Sequence, residues 1–142
     1  MLKLILAFLI FSIQTFTSEK DSPKLEIHIT GAKSDQGKIR VLIFSKESGF
    51  PDQPQQAIKN FSLNPQNKSK TLIVPDLSPG KYAIAVIHDE DNDGKLTTNA
   101  VGYPIEKFGF SNNPKIYFGP PSFEKASFEL KSESRRIQIN LR

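Results

Sequence analysis

Apolar and polar residues alternate along much of the chain, and this alternation predicts β-strands. In residues 25–29, Leu25, Ile27 and Ile29 are separated by Glu26 and His28. A period of two places successive side chains on opposite faces of a strand, so that one face can be buried. Beyond the N-terminal region no long stretch has a convincing helical period of 3.6 residues. We therefore predict an all-β protein.

About seven strands are predicted, separated by turn-forming segments rich in Gly, Pro, Asn and Asp. The second strand carries apolar residues on both faces, which predicts that both faces are covered. In the fifth strand, Ala83 and Ala85 alternate with larger apolar residues and would allow another element to pack closely. The predicted strands are residues 25–29, 39–44, 58–63, 69–74, 82–87, 123–130 and 137–141.

Short strands joined by turns favour a single antiparallel β-sandwich, here occupying residues 24–142. A long irregular segment, residues 89–122, follows the fifth strand. Loops of this length are usually functional or partly disordered. Its apolar side chains predict that it folds onto the sandwich; these are Phe108, Phe110, Ile116, Tyr117 and Phe118.

The N-terminal residues have the layout of a secretory signal peptide. Lys3 precedes an apolar run at residues 4–11, and the small polar residues Thr15 and Thr17 follow. The run is shorter than the roughly 20 apolar residues of a membrane-spanning helix. We predict a signal peptide at residues 1–17, a linker at 18–23 and a secreted or periplasmic protein with no stable membrane span after signal removal. An uncleaved anchor or a buried first strand are the alternatives.

Composition excludes several classes of function. The chain has no Cys, which excludes thiol catalysis, a Cys-ligated zinc site and lipid attachment through Cys. The net charge of +4 is a mild excess. Arg135, Arg136 and Arg142 belong to an alternating strand pattern and form no basic stripe with exposed aromatics, so we expect no nucleic-acid binding.

An Asp-rich loop after the fifth strand carries the most distinctive chemistry. Asp89, Asp91 and Asp93 occupy alternate positions and Gly94 follows, which matches the first half of an EF-hand loop. Alternate residues of a curling loop can all point toward its centre, and Ca²⁺ binds about six to eight oxygens. The sequence therefore predicts a calcium site whose ligands are Asp89, Asp91, Asp93, the carbonyl of Lys95, Asn99 and Glu106.

The second half of the loop departs from the EF-hand pattern. The ninth position is Thr97, and the twelfth is Ala100, where an EF-hand has a bidentate Glu. Glu106 is predicted to supply the missing carboxylate. The loop follows a strand and not a helix, so this is no EF-hand domain. The alternatives are a solvated turn, which Asp and Asn form unaided, and a different divalent cation.

No catalytic motif accompanies this loop. The chain contains neither G-x-S-x-G nor H-E-x-x-H. We expect a non-enzymatic, calcium-stabilised binding or accessory module with a protein or glycan partner. One alternative is a metal-assisted hydrolase using His88 and the Asp loop. Another is a small-ligand carrier with a pocket lined by aromatic residues of the long segment, namely Phe108, Phe110, Tyr117 and Phe118.

Residues 75–89 (PDLSPGKYAIAVIHD) resemble a bacterial family of exported proteins defined as a domain of unknown function, DUF2141. The resemblance implies export but no established activity. The family often has Asp where Thr97 stands, so this chain departs from its pattern there. The turn leading into Tyr82 is also similar to that of transthyretin-like and carboxypeptidase-regulatory-like modules, which implies a transthyretin-like or immunoglobulin-like sandwich. The resemblance to the DUF2141 family continues beyond residue 89, through residues 93–96, Asn99, 102–104, Glu106, 109–112 and 119–126.

Overall fold

A computed structural model describes residues 23–142, and these residues form an almost entirely β structure. The predicted signal peptide and nearly all of the predicted linker lie outside the described residues. The eight strands are β1 Leu25–Thr30, β2 Lys38–Phe44, β3 Lys59–Leu63, β4 Ser69–Val74, β5 Gly80–Asp89, β6 Phe108–Phe110, β7 Phe128–Leu130 and β8 Arg135–Asn140. A 3-10 turn at Pro54–Gln56 and one short helix, α1 Phe123–Ala126, complete the described elements.

The strands form two sheets, which confirms the predicted all-β class with β-sandwich character. One sheet has the order β4-β1-β8, and the other has the order β3-β2-β5-β6 with β7 paired to the start of β5. Among residues 23–142, no helix has the length and apolar character that crossing a membrane requires.

One strand pair departs from the antiparallel arrangement that we predicted. β1 and β8 run parallel, with Leu25 opposite Arg135 and Thr30 opposite Asn140. The chain leaves β7 in one sheet and crosses to the other, where the amide of Arg135 donates to the carbonyl of Lys24 at 3.0 Å. Because β8 enters beside the start of β1, the two strands share a direction. The other described strand pairs are antiparallel.

The main core lies between the two sheets and follows the alternation seen in the sequence. Every second residue of β1, β2 and β5 is buried there, including Ile27, Val41 and Ile84. Burying one such side chain contributes about 1.5–3 kcal/mol to stability. The core therefore fixes which face of each strand points inward.

A second apolar cluster covers the opposite face of β2 and β5, as predicted. Phe44 and Phe110 pack against Ala83 and Ala85, whose small side chains leave room for the rings. Phe50 contacts Phe44 with ring centroids 5.4 Å apart in an edge-on arrangement. Through Phe108, Phe110 and Ile116, this cluster attaches the second half of the long segment to the sheet.

Three expectations about the last third of the chain were wrong in detail. Residues 123–130 do not form one strand, because Ser122 accepts a hydrogen bond from the amide of Lys125 and begins helix α1 before β7. The segment expected to be irregular contains β6, which pairs with β5. Tyr117 and Phe118 do not fold onto the sandwich, since they are 78% and 99% exposed.

Candidate cation site at the end of β5

Asp89, the last residue of β5, has a fully buried side chain around which the following loop curls. Its Oδ1 accepts a hydrogen bond from the amide of Asp93 at 3.1 Å, and its Oδ2 accepts one from Gly94 at 3.0 Å. Arg40 on β2 donates to Oδ2 through Nε. Asp89 therefore organises the loop from inside.

The loop itself is a pair of overlapping turns closed by carboxylates. Asp91 Oδ1 accepts from the amide of Asp93 at 3.1 Å, and Asp93 Oδ1 accepts from the amide of Lys95 at 2.8 Å. Asn92 and Gly94 have φ of 61° and 83°, in the left-handed region that Asn and Gly adopt most readily. Local sequence is sufficient to form these turns.

Residues 97–105 form a small hairpin, and Glu106 directly after it lies back against the acidic loop. Its side chain is buried, and Oε1 accepts from the amide of Glu90 at 2.8 Å while Oε2 accepts from Thr97 at 2.9 Å. Thr97 in turn accepts from the amide of Ile105 through its carbonyl at 3.0 Å. One carboxylate thus holds both ends of residues 90–97.

Asp89, Asp91 and Glu106 each place one carboxylate oxygen within 4.8 Å of the others. These are three of the side chains predicted as ligands, and they come from positions up to 17 residues apart in the chain. Asp93 is not in this group. Asn99 Oδ1 accepts from the amides of Val101 and Tyr103, which closes the hairpin turn.

The electrostatics of the group differ from one carboxyl to the next. Burial by itself raises the pKa of Asp89, but the hydrogen bond and charge of Arg40 and the Gly94 amide outweigh it and hold this pKa below its ordinary value. For Asp91 the Asp93 amide lowers the pKa, but desolvation and the neighbouring carboxylates outweigh it, so the pKa is raised. Of these two carboxyls, Asp91 is the one whose negative charge the fold disfavours.

His88 precedes Asp89 on β5 but points to the opposite face of the strand. It is fully buried; Nδ1 accepts from the amide of Lys33 at 3.1 Å, and Nε2 lies 2.7 Å from the carbonyl of Gln36. These partners assign a neutral ring with its proton on Nε2. Both ring nitrogens are engaged, so His88 fastens the β1–β2 loop and does not face the carboxylate group.

Arg40 is the site residue that sequence reasoning missed. It lies 49 positions before Asp89, and the register of β2 against β5 brings the two side chains together diagonally. A charged residue between the apolar Ile39 and Val41 of a central strand was the only available signal. Lys33, which pairs with Glu90 at 3.0 Å, was also missed, because it lies in a polar loop 57 positions away in the sequence.

Comparisons with known proteins identify a family and nothing more specific. Neither the curated proteins nor the solved structures yielded a match to this chain. A family model described as an uncharacterized protein conserved in bacteria (DUF2141) matches residues 27–138. That match includes Arg40, Asp89, Asp91 and Glu106 and extends from β1 into β8. The chain belongs to the DUF2141 family of bacterial proteins.

Proposed function

We propose that this protein is an exported, non-enzymatic binding or accessory module whose Asp loop is stabilised by a calcium ion. The observation that carries the proposal is the convergence of Asp89, Asp91 and Glu106 within 4.8 Å. Three carboxylates against the single guanidinium of Arg40 leave an excess negative charge, and a divalent cation would neutralise it.

The donor set favours a hard cation. All three converging groups are carboxylates, and oxygen ligands suit Ca²⁺ or Mg²⁺ better than zinc or copper. Each carboxylate oxygen has two lone pairs, so oxygens that accept an amide hydrogen bond can still bind a cation. Calcium fits better than magnesium because it tolerates the irregular geometry of a loop. Asp93 and the Lys95 carbonyl are the proposed additional ligands, whereas Asn99, also predicted as a ligand, already accepts two amides through Oδ1.

Hydrogen bonds connect the carboxylate site to the small hairpin, whose apolar side chains are exposed. Glu106 bonds to Thr97 at the base of the hairpin, and Asn99 closes its turn. Val101, Tyr103 and Ile105 are 87%, 69% and 56% exposed. They lie on the turn and the returning arm of the hairpin. A preorganised apolar tip suits docking to a protein, and its Tyr ring suits stacking on a glycan.

The hydrogen bonding of His88 supports a non-enzymatic role over a metal-assisted hydrolase. A hydrolase needs an open metal position and a poised base, and both nitrogens of His88 are already bonded to backbone groups. Of two surface depressions of the described chain, one is lined by residues of the turn before β4 and the start of β4, and the other by residues at the starts of β1 and β8 and by Ile73 of β4. Neither includes the carboxylate group or the aromatic residues that the carrier hypothesis requires.

Calorimetric titration of the chain with calcium tests the cation site, together with thermal unfolding in calcium and in EDTA. We expect measurable heat of calcium binding and a thermal midpoint that rises with calcium concentration. At a free calcium concentration 100 times the dissociation constant, the free energy of unfolding should increase by about 2.7 kcal/mol. Asp91→Ala should abolish both effects. Asp52→Ala, which removes an exposed carboxylate elsewhere, should leave them intact. An unchanged wild-type midpoint in millimolar calcium would contradict the proposal.

Export is supported by the basic, apolar and small-polar order of residues 1–17. Cell fractionation and N-terminal sequencing of the mature protein test it. We expect a periplasmic or secreted product that begins at Ser18. A product that stays in the cytoplasm with Met1 retained would contradict export and leave the calcium proposal untouched.

A further inference from the structure

Tyr117 and Phe118 form an exposed aromatic pair on the segment between β6 and α1. They are 78% and 99% exposed, and Phe118 is the most exposed large apolar residue of the described chain. A Phe ring in water forgoes the free energy that burial would give it. Gly119, Pro120 and Pro121 follow, and the two prolines restrict the backbone beside the pair.

Both ends of this aromatic segment are fastened to the sandwich. Asn113 donates through Nδ2 to the carbonyl of Gln138 at 2.9 Å and accepts from the amide of Asn140 at 2.8 Å. On the other side, Phe123 packs against Phe50 with ring centroids 5.9 Å apart. The pair is therefore presented from a fixed base, which lowers the entropy lost on docking.

Basic residues occur along residues 112–125, which carry the pair, and at Arg142, which contacts this segment. Lys115 and Lys125 are exposed, and Arg142 donates through Nη2 to the carbonyl of Pro114 at 2.9 Å. The one carboxylate within residues 112–125 is Glu124, which pairs with Lys81 at 2.6 Å. The basic groups are thus left without a local counter-charge from this segment.

We propose that Tyr117 and Phe118 insert into the interfacial layer of an anionic phospholipid surface, while Lys115, Lys125 and Arg142 contact its phosphates. Phe suits the acyl boundary, and Tyr combines an apolar ring with a polar hydroxyl that stays at the headgroups. Charge complementarity favours an anionic lipid surface over an apolar protein surface, because an apolar protein surface would leave Lys115, Lys125 and Arg142 without an oppositely charged partner. Each basic side chain near an anionic membrane strengthens binding roughly fivefold. This docking does not rest on the calcium site.

The absence of Trp from the chain makes a direct test possible. Phe118→Trp creates a single indole at the proposed contact, and Tyr103→Trp creates a matched indole on the hairpin beside the acidic loop. Both proteins are mixed in EDTA with vesicles of phosphatidylcholine, with and without phosphatidylglycerol. We expect the emission of Phe118→Trp to shift to shorter wavelength only with the anionic vesicles, and that of Tyr103→Trp to stay unchanged.

Vesicle co-sedimentation of the chain supplies a second measurement. Phe118→Ser should weaken binding by about tenfold or more, because one buried Phe side chain is lost. Lys115→Gln should weaken it by a smaller factor and reduce its salt dependence. Because Phe118 is in solvent, Phe118→Ser should keep the wild-type thermal midpoint.

Three results would overturn the proposal. The first is an unshifted Phe118→Trp emission with anionic vesicles, and the second is an equal shift with neutral ones. The third is self-association without vesicles that Phe118→Ser abolishes, which would assign the pair to a contact between copies of this chain.

Discussion

Arg40 on β2 donates a hydrogen bond to the fully buried carboxylate of Asp89 at the end of β5. The same carboxylate accepts the amides of Asp93 and Gly94. Breaking a buried ion pair costs more than the pair contributes, because the remaining charge stays buried without a partner. The stability of the acidic loop therefore depends on the positive charge of Arg40 beside Asp89.

Arg40→Gln tests that dependence. We expect a loss of about 2–3 kcal/mol in EDTA, below the range for a fully buried pair because the Arg40 side chain is 30% exposed. Calcium should restore more stability to this variant than to the wild type, since a cation then meets less competing positive charge. Denaturant unfolding in EDTA and in calcium measures both.

Arg136→Gln is the matched control for Arg40→Gln. Its side chain is 75% exposed and pairs with Glu26 at 2.9 Å, so we expect a change within about 1 kcal/mol. Equal losses in the two variants would contradict the special role of Arg40.

Asp91→Asn should respond to pH in a defined direction. The pKa of Asp91 is raised in the fold, so the charged form is disfavoured by folding at neutral pH, and this penalty disappears as pH falls below the ordinary value of 3.8. In EDTA the variant should be more stable than the wild type at pH 7, with the gap closing in acid. Calcium at pH 7 should reverse the order. Thermal midpoints across pH, with and without calcium, measure this.

The pKa of Asp89 shifts in the opposite direction from that of Asp91, so Asp89→Asn is the comparison variant. Its pKa is lowered in the fold, so its charge stabilises the protein above the ordinary carboxyl range, and this stability is lost as pH falls through the folded pKa. Asp89→Asn should therefore destabilise at pH 7 even without calcium. If Asp89→Asn and Asp91→Asn shift the midpoint in the same direction in EDTA, the assignment of the two environments is wrong.

Glu106→Gln should loosen the hairpin. A side-chain amide has one acceptor oxygen for the two backbone amides of Glu90 and Thr97, so one of them loses its partner at a cost of about 1–3 kcal/mol. Hydrogen exchange of these two amides should become faster. Glu129→Gln on the exposed face of β7 should leave their exchange unchanged. Unchanged protection in Glu106→Gln would mean that the carboxylate does not hold the loop.

Asn113→Ala should expose the outer edge of β8. The Asn113 side chain occupies the carbonyl of Gln138 and the amide of Asn140, groups that an incoming strand would otherwise use. We expect concentration-dependent association, measured by analytical ultracentrifugation, that the wild type does not show. Asn60→Ala on the exposed side of β3 is the control. A monomeric Asn113→Ala variant at high concentration would show that the edge needs no such cover.

The first five strands were predictable because their alternation is long enough to identify the buried face. Each is at least five residues long, and the buried positions of β1 fall where the period of two places them. The last third was less predictable for a physical reason. β6 and β7 have three residues each, and a segment that short has no secondary structure of its own until a neighbour supplies hydrogen bonds.

Local sequence alone determined the strand alternation, the turns of the acidic loop and the left-handed backbone at Gly94, because each depends on residues only a few positions apart. Only the tertiary structure decided that Arg40 meets Asp89 and that β8 runs parallel to β1. Those contacts depend on strand register and on which sheet the chain enters. Packing of the whole core sets both, and no local spacing encodes them.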